Sequence, residues 1–530
     1  MNNKEKYNIM MDTFLHHYNK TKNITQSCIN ACMEHNIKYS DTARRTFSER
    51  LKTSGIKKEE IKAEQSEDFN IAKNKEHDKT KKRFIVTWAQ SETEVFKPLL
   101  MNIEAYAKII DAEILVVAGR YKNPSSLDGS KKLSKNEDDN KQMYWDKSVT
   151  KYLDANRHHI HKHLVVASDV KIQPTAVTPL SGLNSLTGLE SCIFGHPRTH
   201  FEPLPVLEGY PHKILMTTGA LTIPNYTDTK SGKKGEFHHS YGFVVAELDG
   251  EYFHVRQVTA SDDGSFYDLN VLVENGNVLH NQKAETMVFG DLHIGDEDEE
   301  AVELSLDIAR KLRVNDVILH DLFNGKSISP HSGKNAFELL RNEEEGLDDL
   351  KAELDEVCFF LTINNDLNFK VVRSNHDIWL DRWLNDTDWR KSRNKKYYLE
   401  LASAMANDKD GKGALNVVLK QNEIHNAYCL DLNESYVVKS FELAIHGHQG
   451  AGGSRGSMIQ FKNLNTKTVT GHSHVPKRMD GALSVGTLTK LRLTYNKGLS
   501  AWMQSNVVIH PNGKAQHLNI INNKVTTLWK

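Results

Sequence analysis

Five short apolar runs in the second half of the chain each lead into residues that can bind a metal ion. The runs have the length and composition of buried β-strands, since they are rich in aliphatic residues and bounded by polar ones. The residues that follow them are Asp291 and His293, then Asp321, then Asn375, His376 and Asp377, then His446 and His448, and finally His472 and His474. In an open α/β sheet, strand ends of one polarity line a common crevice. The pattern therefore predicts an α/β fold with its chemistry at the ends of the strands.

Length and composition exclude several classes of protein. A chain of 530 residues is too long for one ordinary domain, so two or three domains are expected. No apolar run approaches the roughly 18 residues of a membrane helix, and no signal peptide is found, so we expect no membrane partner. Five scattered cysteines favour a reducing cytoplasm. The 68 basic and 69 acidic residues balance, so only a local basic face could favour nucleic acid.

Residues 1–55 are predicted to be a small helical region. The segment "ITQSCINACMEHNI" has apolar residues at helical spacing, and a second helix is expected to begin at the N-cap residue Asp41. Two short helices across a tight break resemble a helix-turn-helix that handles DNA, with Arg44 and Arg45 near the start of the second helix. A helical bundle or an oligomerisation arm is an equally good interpretation, because nothing in the segment specifies a base contact.

Two further regions precede the metal-capable residues. Residues 56–82 are almost entirely charged and polar, so they are predicted to be a linker. Residues 83–280 alternate strand and helix signals, which predicts an accessory α/β domain with a mostly parallel sheet. We expect this domain to serve structure or substrate contact rather than to hold a second active site. The sequence contains neither a tandem repeat nor a phosphate-binding loop, so no nucleotide cofactor is expected.

The order of the metal-capable residues resembles the motif pattern of the calcineurin-like metallophosphoesterase superfamily. That pattern is D-x-H, then G-D, then G-N-H-[DE], then a histidine, then G-H-x-H, and its counterparts lie in residues 286–490. The layout is more similar to the SbcD-type DNA exonucleases and related phage nucleases than to the protein phosphatases. Among these nucleases, it resembles the early host-DNA-degrading nuclease of T-five-type phages. The resemblance implies that residues 281–530 form a four-layer metallophosphoesterase β-sandwich flanked by helices.

The resemblance also implies a pair of divalent metal ions. The first ion would be held by Asp291, His293, Asp321 and His474. The second ion would be held by Asp321, Asn375, His446 and His472. His448 is the alternative to His446 as a ligand of the second ion. Carboxylate, amide and imidazole ligands without a thiolate suit Mn²⁺, which is the expected ion, and also Fe²⁺, Zn²⁺ or Mg²⁺.

Two residues depart from the family pattern. His320 replaces the glycine that normally precedes the aspartate of the second motif, and Ser374 stands where the third motif has glycine. Side chains at these corners restrict the backbone but leave the ligating residues in place. We therefore expect a changed loop geometry and an intact set of ligands.

Hydrolysis of a phosphodiester needs a nucleophile at neutral pH and neutralisation of the phosphate charge. Two metal ions about 3.5–4 Å apart meet both needs, because they acidify a bridging water and clamp the phosphate oxygens. By resemblance, His376 is the general acid beside the leaving oxygen, and Asp377 holds its imidazole by a hydrogen bond. Capping of the following helix is an alternative role for Asp377 that is compatible with the first. The candidates for contacts with substrate phosphate are Lys326, His331, Lys334 and Arg455.

We therefore expect a two-metal-dependent DNA nuclease in the cytoplasm, which is the host's cytoplasm if a phage encodes the chain. DNA is the expected partner, and a homo-oligomer is expected only because large nucleases often assemble. One alternative is a small-molecule phosphodiesterase or phosphomonoesterase of the same superfamily, although a small ester needs none of the appended regions. Another is a non-catalytic binding scaffold with this fold, although a scaffold has no physical need to keep the ligands and the acid.

Overall fold

The structure is a computed structural model that describes residues 10–17, 24–35, 46–47, 67–121, 144–330, 335–464, 466–493 and 496–529. The described residues up to residue 47 belong to one compact unit, and those from residue 67 onward belong to a second, larger unit. No helix among the described residues is long and apolar enough to cross a membrane.

The smaller unit is helical where it is described. Residues 10–17 form α1, and α2 spans Ile24–Glu34. Phe14 of α1 stacks on Phe47 with ring centroids 4.7 Å apart. The predicted helix-turn-helix stays a prediction, because residues 36–45 lie outside the described part of the chain.

The first half of the larger unit runs to residue 279 and is built from two packed sheets. Its helices are α3 (Glu67–Lys73), α4 (Lys97–Ile110) and α5 (Lys230–Phe237). Its strands are β1 (Arg83–Gln90), β2 (Glu113–Gly119), β3 (Leu153–Asp154), β4 (Arg157–His161), β5 (Leu164–Ala167), β6 (Ser191–Phe194), β7 (His200–Leu204), β8 (Lys213–Thr217), β9 (Gly242–Asp249) and β10 (Tyr252–Thr259). A small antiparallel sheet closes this half with β11 (Phe266–Asp268), β12 (Val271–Glu274) and β13 (Asn277–Leu279).

The second half begins at residue 286 and carries more helices. These are α6 (Glu299–Lys311), α7 (Ala336–Glu344), α8 (Leu350–Ile363), α9 (Asn375–Asp386), α10 (Lys395–Asn407), α11 (Ala414–Gln421) and α12 (Met458–Lys462). The strands are β14 (Thr286–Val288), β15 (Asp316–Leu319), β16 (Phe369–Val372), β17 (Ala427–Leu430), β18 (Val437–Val438), β19 (Phe441–Glu442), β20 (Lys467–Thr470), β21 (Lys477–Met479), β22 (Ala482–Ser484), β23 (Ser505–Ile509) and β24 (Ala515–Asn519).

The two halves have the same strand order. The sheets of the first half run β10-β9-β1-β2-β3 and β4-β5-β6-β8-β7, and those of the second run β24-β23-β14-β15-β16-β17 and β18-β19-β20-β22-β21. The directions of neighbouring strands also agree: β1 is parallel to β2 and antiparallel to β9, as β14 is to β15 and β23. Among the described strands of these sheets, β17 is the one without a counterpart, and the small sheet β11-β12-β13 stands apart from this correspondence. The larger unit is therefore an internal repeat of one α/β sandwich, which the sequence did not reveal because the repeat lies in strand order.

One sheet passes through both halves. β7 of the first half pairs with β21 of the second in antiparallel register, with Phe201 opposite Arg478 and His200 opposite Met479. The pairing joins two five-stranded sheets into one of ten strands. The boundary predicted at residue 280 falls between the halves, and main-chain hydrogen bonds cross from one half to the other.

Each half buries an apolar core between its two sheets. Val86, Leu115 and Ile193 belong to the core of the first half. Val288 and Val469 belong to the equivalent core of the second half. Helices cover the outer face of each mixed sheet, so the predicted α/β class is confirmed.

The charged stretch that was predicted to be a linker contains α3. Ala72 of this helix is fully buried in the core of the first half, and its carbonyl oxygen accepts a hydrogen bond from Ala155 N at 3.1 Å. A short helix of this composition gains its stability from packing rather than from its own propensity. The composition of the stretch therefore did not predict that its last part is folded.

Local sequence explains why a helix follows the first metal-capable motif. Asp298 caps α6 by accepting a hydrogen bond from Ala301 N at 3.2 Å, and Glu299 and Glu300 occupy the first turn. Acidic residues at this end complement the helix dipole, and the apolar face of α6 packs into the core. The helix thus fixes the direction in which the chain leaves the end of β14.

Candidate metal centre

The predicted ligands follow the ends of strands that share one sandwich. Asp291 and His293 lie just beyond β14, and Asp321 lies just beyond the adjacent parallel strand β15. His472 and His474 follow β20 in the facing sheet. Asn375 begins α9 after β16, and His446 lies beyond β19. The strand ends therefore deliver side chains from both sheets to one place, as expected from the sequence.

One group of side chains that could hold a metal ion consists of Asp291, Asp321 and His474, which are all buried. The Nε2 atom of His474 lies 3.3 Å from Oδ2 of Asp291. His293 joins this group, since its Nε2 atom lies 3.0 Å from Nε2 of His474 and 3.4 Å from Oδ2 of Asp321. These four residues are the ones that the resemblance implies for the first ion.

A second group consists of Asp321, His446 and His472. The Nε2 atom of His446 lies 3.2 Å from Oδ2 of Asp321 and 3.1 Å from Oδ1 of Asn375. The ring of His472 lies 5.3 Å from that of His446, measured between centroids. Asp321 thus belongs to both groups.

Several of these buried polar atoms have no hydrogen-bond partner among the described residues. They include both carboxylate oxygens of Asp291, Oδ1 of Asp321, Nδ1 of His293 and Nδ1 of His474. Burial, and then the neighbouring carboxylate of Asp321, raise the pKa of Asp291 well above its usual range. Buried polar groups are normally satisfied, and a cation satisfies carboxylate oxygens and imidazole nitrogens together. The residues present therefore fit a metal site.

Four of the predicted ligands have backbone angles that non-glycine residues rarely adopt. The positive φ angles are +47° at His293, +45° at Asp321, +71° at His472 and +54° at His474. Each left-handed residue of this kind costs of order 1 kcal/mol or more, and such residues cluster at functional sites. Twelve other described non-glycine residues also have positive φ, so left-handed strain occurs at the centre without being confined to it.

Gly471 lies against the centre because a side chain would not fit there. A Cβ atom at this position would lie 2.2 Å from Oδ1 of Asp291 and 2.9 Å from Cβ of His320. The glycine of the "GHSH" segment is therefore needed because the end of β20 lies so close to Asp291.

The two departures from the family pattern have structural roles. His320 is fully buried, and its Nδ1 atom lies 3.3 Å from Nδ1 of His446, a contact that helps to orient a predicted ligand. Burial lowers the pKa of His320 to about 3, so its imidazole is neutral. Ser374 is the N-cap of α9, since its side chain accepts a hydrogen bond from Asp377 N. Sequence reasoning treated both residues only as departures and missed these roles.

The predicted hydrogen bond between Asp377 and the imidazole of His376 is not formed. Asp377 instead completes a capping box, in which its Oδ2 atom accepts a hydrogen bond from Ser374 N at 2.8 Å. The Nδ1–H group of His376 donates to the main-chain oxygen of Asn324. In the structure, Asp377 therefore has the alternative role of a helix cap. The geometry of α9 turns its carboxylate toward the N-terminus of the helix.

His376 lies at the edge of the centre. Its ring is 4.6 Å from the ring of His293, and a third group that could hold an ion combines these two histidines with Asp321. The ring of Trp379 stacks on His376 with centroids 3.9 Å apart. The resemblance does not make His376 a metal ligand, but an ion bound by this third group would contact its imidazole.

His448 is not a member of any of the three candidate groups. Its ring lies 5.4 Å from that of His446, and neither of its nitrogens has a hydrogen-bond partner among the described residues. Burial, followed by the charges of neighbouring histidines, lowers the pKa of His448 to about 4. The geometry thus favours His446 over His448 as a ligand.

The predicted phosphate contacts are only partly described. Lys326 forms an ion pair with Asp296, with Nζ 3.3 Å from Oδ1. Arg455 is exposed at the end of a short loop that begins at Gly450. A hydrogen bond from Gly450 N to Ser454 O closes this loop. The remaining predicted contacts lie outside the described residues, namely His331, Lys334, Arg44 and Arg45.

A tryptophan that the sequence did not single out also borders the centre. The ring of Trp502 packs edge-on against His474 with centroids 4.1 Å apart. Trp379 lies one helical turn after His376, so its contact could have been found from the i, i+3 spacing on α9. Trp502 comes from a distant loop before β23, and no local pattern points to it.

The first half has equivalent strand ends with different side chains. Ser91 N donates a hydrogen bond to Gly119 O, just as His293 N donates to Asp321 O. Ser91 and Gly119 therefore lie at the ends of β1 and β2, the strands that correspond to β14 and β15. The three candidate groups found among the described residues all lie in the second half.

The other strand ends of the first half show the same change. The segment "GHPR" follows β6 as "GHSH" follows β20, so His196 corresponds to His472, and Arg198 corresponds to His474. His196 is fully buried, accepts a hydrogen bond from Arg198 N at 3.0 Å and donates to Gln173 O. One histidine is thus kept as a packed, neutral residue, and the other is replaced by a cation.

Comparisons with known proteins give one clear relative. No family model matches the chain, and no solved structure is significantly similar to it. The chain is 29% identical to Protein A1 of Escherichia phage T5 over 479 residues, which cover 84% of this chain and 82% of that protein. The similarity supports a phage origin. Over most of its length, then, this chain is similar to a phage protein, and it carries clusters of histidine and aspartate that could bind metal ions.

Proposed function

We propose that this chain is a metallophosphoesterase that uses two divalent ions to hydrolyse phosphodiester bonds in DNA. The observation that carries the proposal is the sharing of Asp321 by two groups of buried ligands, one with Asp291 and His474 and one with His446 and His472. Two ions that share a carboxylate lie close enough to act on one phosphate. The order of the motifs along the chain, which resembles the superfamily, supports the same conclusion.

The residues already named would hold the ions, and Mn²⁺ is the ion that we propose. Bound divalent ions supply a nucleophile at neutral pH and neutralise charge on the phosphoryl oxygens. The chain itself supplies a dry, closed setting, because Asp291, Asp321 and His446 are at most 3% exposed. Electrostatic interactions are stronger in such a setting than in water.

His376 is proposed to give a proton to the leaving oxygen. Its Nδ1–H group is engaged by the main-chain oxygen of Asn324, so Nε2 is the atom that can carry the transferred proton. Asn324 is itself fixed, since its side-chain amide donates to Oδ2 of Asp296 at 2.9 Å. The ring of Trp379 then limits rotation of the imidazole from the other side. Asn324 thus takes the orienting role that the sequence assigned to Asp377.

A macromolecular substrate is supported by the surroundings of the centre. Trp379 and Trp502 are half-buried aromatic rings at its border, and aromatic rings of this kind can stack on bases. Arg455 adds an exposed cation on the adjacent loop. A phage relative over most of the chain is compatible with a role in DNA degradation or processing in the host cytoplasm. A homo-oligomer stays a prediction from the class of enzyme.

The proposal is tested by an assay with linear, circular and single-stranded DNA beside a small phosphodiester ester. Each substrate is incubated with the full chain in Mn²⁺ and, as a control, in excess chelator. We expect metal-dependent cleavage of at least one DNA form. Cleavage of the small ester without cleavage of any DNA would instead assign the chain to the small-molecule phosphoesterases.

A further inference from the structure

A cavity of about 400 Å³ lies where the two halves join, at the opposite end of β20 from the metal centre. The first half contributes Thr199, Phe237 and His238 to its wall, and the second contributes Lys467, Arg478 and Lys514. Lys467 begins β20, whereas the ligands His472 and His474 follow the end of that strand. The cavity is therefore separate from the site described above.

The charges around the cavity are unbalanced. Asp480 is its one acidic wall residue among the described residues, and its carboxylate is already shared by several cations. Its Oδ2 atom lies 2.9 Å from Lys462 Nζ and 3.3 Å from Arg198 Nη1. His200 and His238 also lie within 3.4 Å of this carboxylate. The single carboxylate of Asp480 is thus shared among several positive groups, and its charge also acts on Arg478.

Three cations of the wall have no carboxylate partner among the described residues, namely Lys467, Arg478 and Lys514. Arg478 donates to Ala515 O at 3.3 Å and to Thr259 Oγ1 at 3.1 Å, which are both neutral acceptors. Burial, and then the charges of Lys514 and Arg478, lower the pKa of Lys467. Burial also lowers the pKa of Lys514, although the carboxylate of Asp262 opposes this shift and Arg478 adds to it. Three such cations close together are unfavourable unless an anion joins them.

An exposed aromatic ring stands on the same wall. Phe237, the last residue of α5, is 83% exposed. An aromatic ring with so much free surface can stack on a planar, uncharged group, and a nucleobase is such a group. The wall therefore combines a cationic patch with a stacking surface.

We propose that this cavity binds a mononucleotide, with its phosphate between Lys467, Arg478 and Lys514 and its base against Phe237. A phosphate dianion offers three acceptor oxygens, and charge-assisted hydrogen bonds are the strong class of hydrogen bond. The available volume suits one nucleotide rather than a longer strand. Binding here needs neither metal ions nor catalysis, so the inference goes beyond the proposed function and does not depend on it.

The first test measures binding to the full chain in excess chelator by isothermal titration calorimetry. The probes are inorganic phosphate, a 5′-deoxynucleoside monophosphate and a short single-stranded oligonucleotide. We expect the monophosphate to bind most tightly and Lys467→Ala and Lys514→Ala each to weaken it by roughly tenfold or more. The matched control is Lys409→Ala. This lysine is exposed and does not line the cavity, so its replacement should leave binding unchanged.

A second variant separates the two parts of the ligand and does not depend on a buried residue. Phe237→Ala should weaken binding of the monophosphate and leave binding of inorganic phosphate unchanged. Asp321→Ala, which removes the shared metal ligand, should retain full binding of the monophosphate, so failure of the nuclease proposal would not affect this result. Binding of the oligonucleotide alone, or equal binding by wild type and both lysine variants, would overturn the inference.

Discussion

The two halves of the larger unit share a strand order but differ at the ends of their strands. In the second half, the residues after β14 and β15 are His293 and Asp321, which point into a buried group of ligands. In the first half, the ends of the corresponding strands β1 and β2 hold Ser91 and Gly119, which are joined by a main-chain hydrogen bond. The sandwich therefore forms with or without the ligands, and we infer that the ligands serve chemistry rather than folding.

Packing has taken the place of the ligands in the first half. A Cβ atom at Gly119 would lie 2.3 Å from the indole ring of Trp88, so the ring leaves no room for a side chain at this strand end. A Cβ atom at Gly195 would likewise lie 2.7 Å from the same ring and 2.4 Å from Val117. An apolar contact thus fills what is a polar, unsatisfied space in the other half. The predictions below test whether the two halves really divide stability and chemistry in this way.

The largest effect is expected for Asp321→Ala, because one carboxylate serves both groups of ligands. We expect loss of at least one equivalent of metal and a fall in nuclease activity of about a thousandfold or more. Elemental analysis of the dialysed protein measures the metal, and Asp386→Ala on the exposed face of α9 is the control. Two full equivalents in Asp321→Ala would show that the carboxylate is not shared.

A smaller loss is expected for His376→Ala, since general acids contribute roughly 10²–10⁴-fold. Both metal ions should stay bound, because the resemblance places this imidazole beside the leaving oxygen and not among the ligands. Turnover and metal content are measured together, with His425→Ala at an exposed position as the control. Because His376 also lies within one candidate group, loss of metal from this variant would reassign it as a ligand.

Equivalent glycines allow the two halves to be compared directly. Gly471→Ala pushes a methyl group against Oδ1 of Asp291, so we expect metal affinity to fall roughly 10–100-fold. Gly195→Ala instead pushes against Val117 and Trp88, which should cost about 1–3 kcal/mol of stability and leave metal affinity unchanged. Metal titration and urea unfolding of both variants give the two readouts. Equal loss of metal in both variants would contradict the division of roles between the halves.

The smallest effect on activity is expected for His196→Gln. Burial lowers the pKa of His196 to about 3, so the unfolded chain takes up a proton before the folded chain does. The folded state therefore loses stability as pH falls below about 6.5, by about 2 kcal/mol between pH 7 and pH 5. Unfolding free energies in chelator at the two pH values should show a loss that is about 2 kcal/mol smaller in the variant than in wild type, where other buried histidines add to the total. An unchanged pH dependence would mean that His196 is protonated in the folded state.

The convergence of the candidate ligands could be predicted from sequence because each follows a recognisable strand and the motifs occur in a specific order. Asp291, His293 and Asp321 lie within two segments of a few residues, where strand and polar residues are visible together. Orienting contacts could not be predicted in the same way. The acceptor for His376 is the main-chain oxygen of Asn324, and a main-chain atom leaves no trace in residue type. Asp377 instead caps the helix in whose first turn it lies.

Features that depend on long-range packing were also missed. The repeated strand order is a property of hydrogen-bonding partners, and the substitution of Trp88 and Gly119 for polar residues hides it at the level of sequence. The cationic cavity brings together Lys467, Arg478 and Lys514, which come from three separate strands or turns. Local periodicity predicts each strand but not which of them become neighbours.

The pairing of β7 with β21 has a practical consequence for dissecting the molecule. A chain cut near residue 280 would leave the edge of β21 with free main-chain donors and acceptors, and its severed partner would have the same defect. Open strand edges of this kind invite aggregation or self-pairing. Expression of the second half by itself should therefore yield insoluble or artificially dimeric material, whereas coexpression of both fragments should restore a soluble complex.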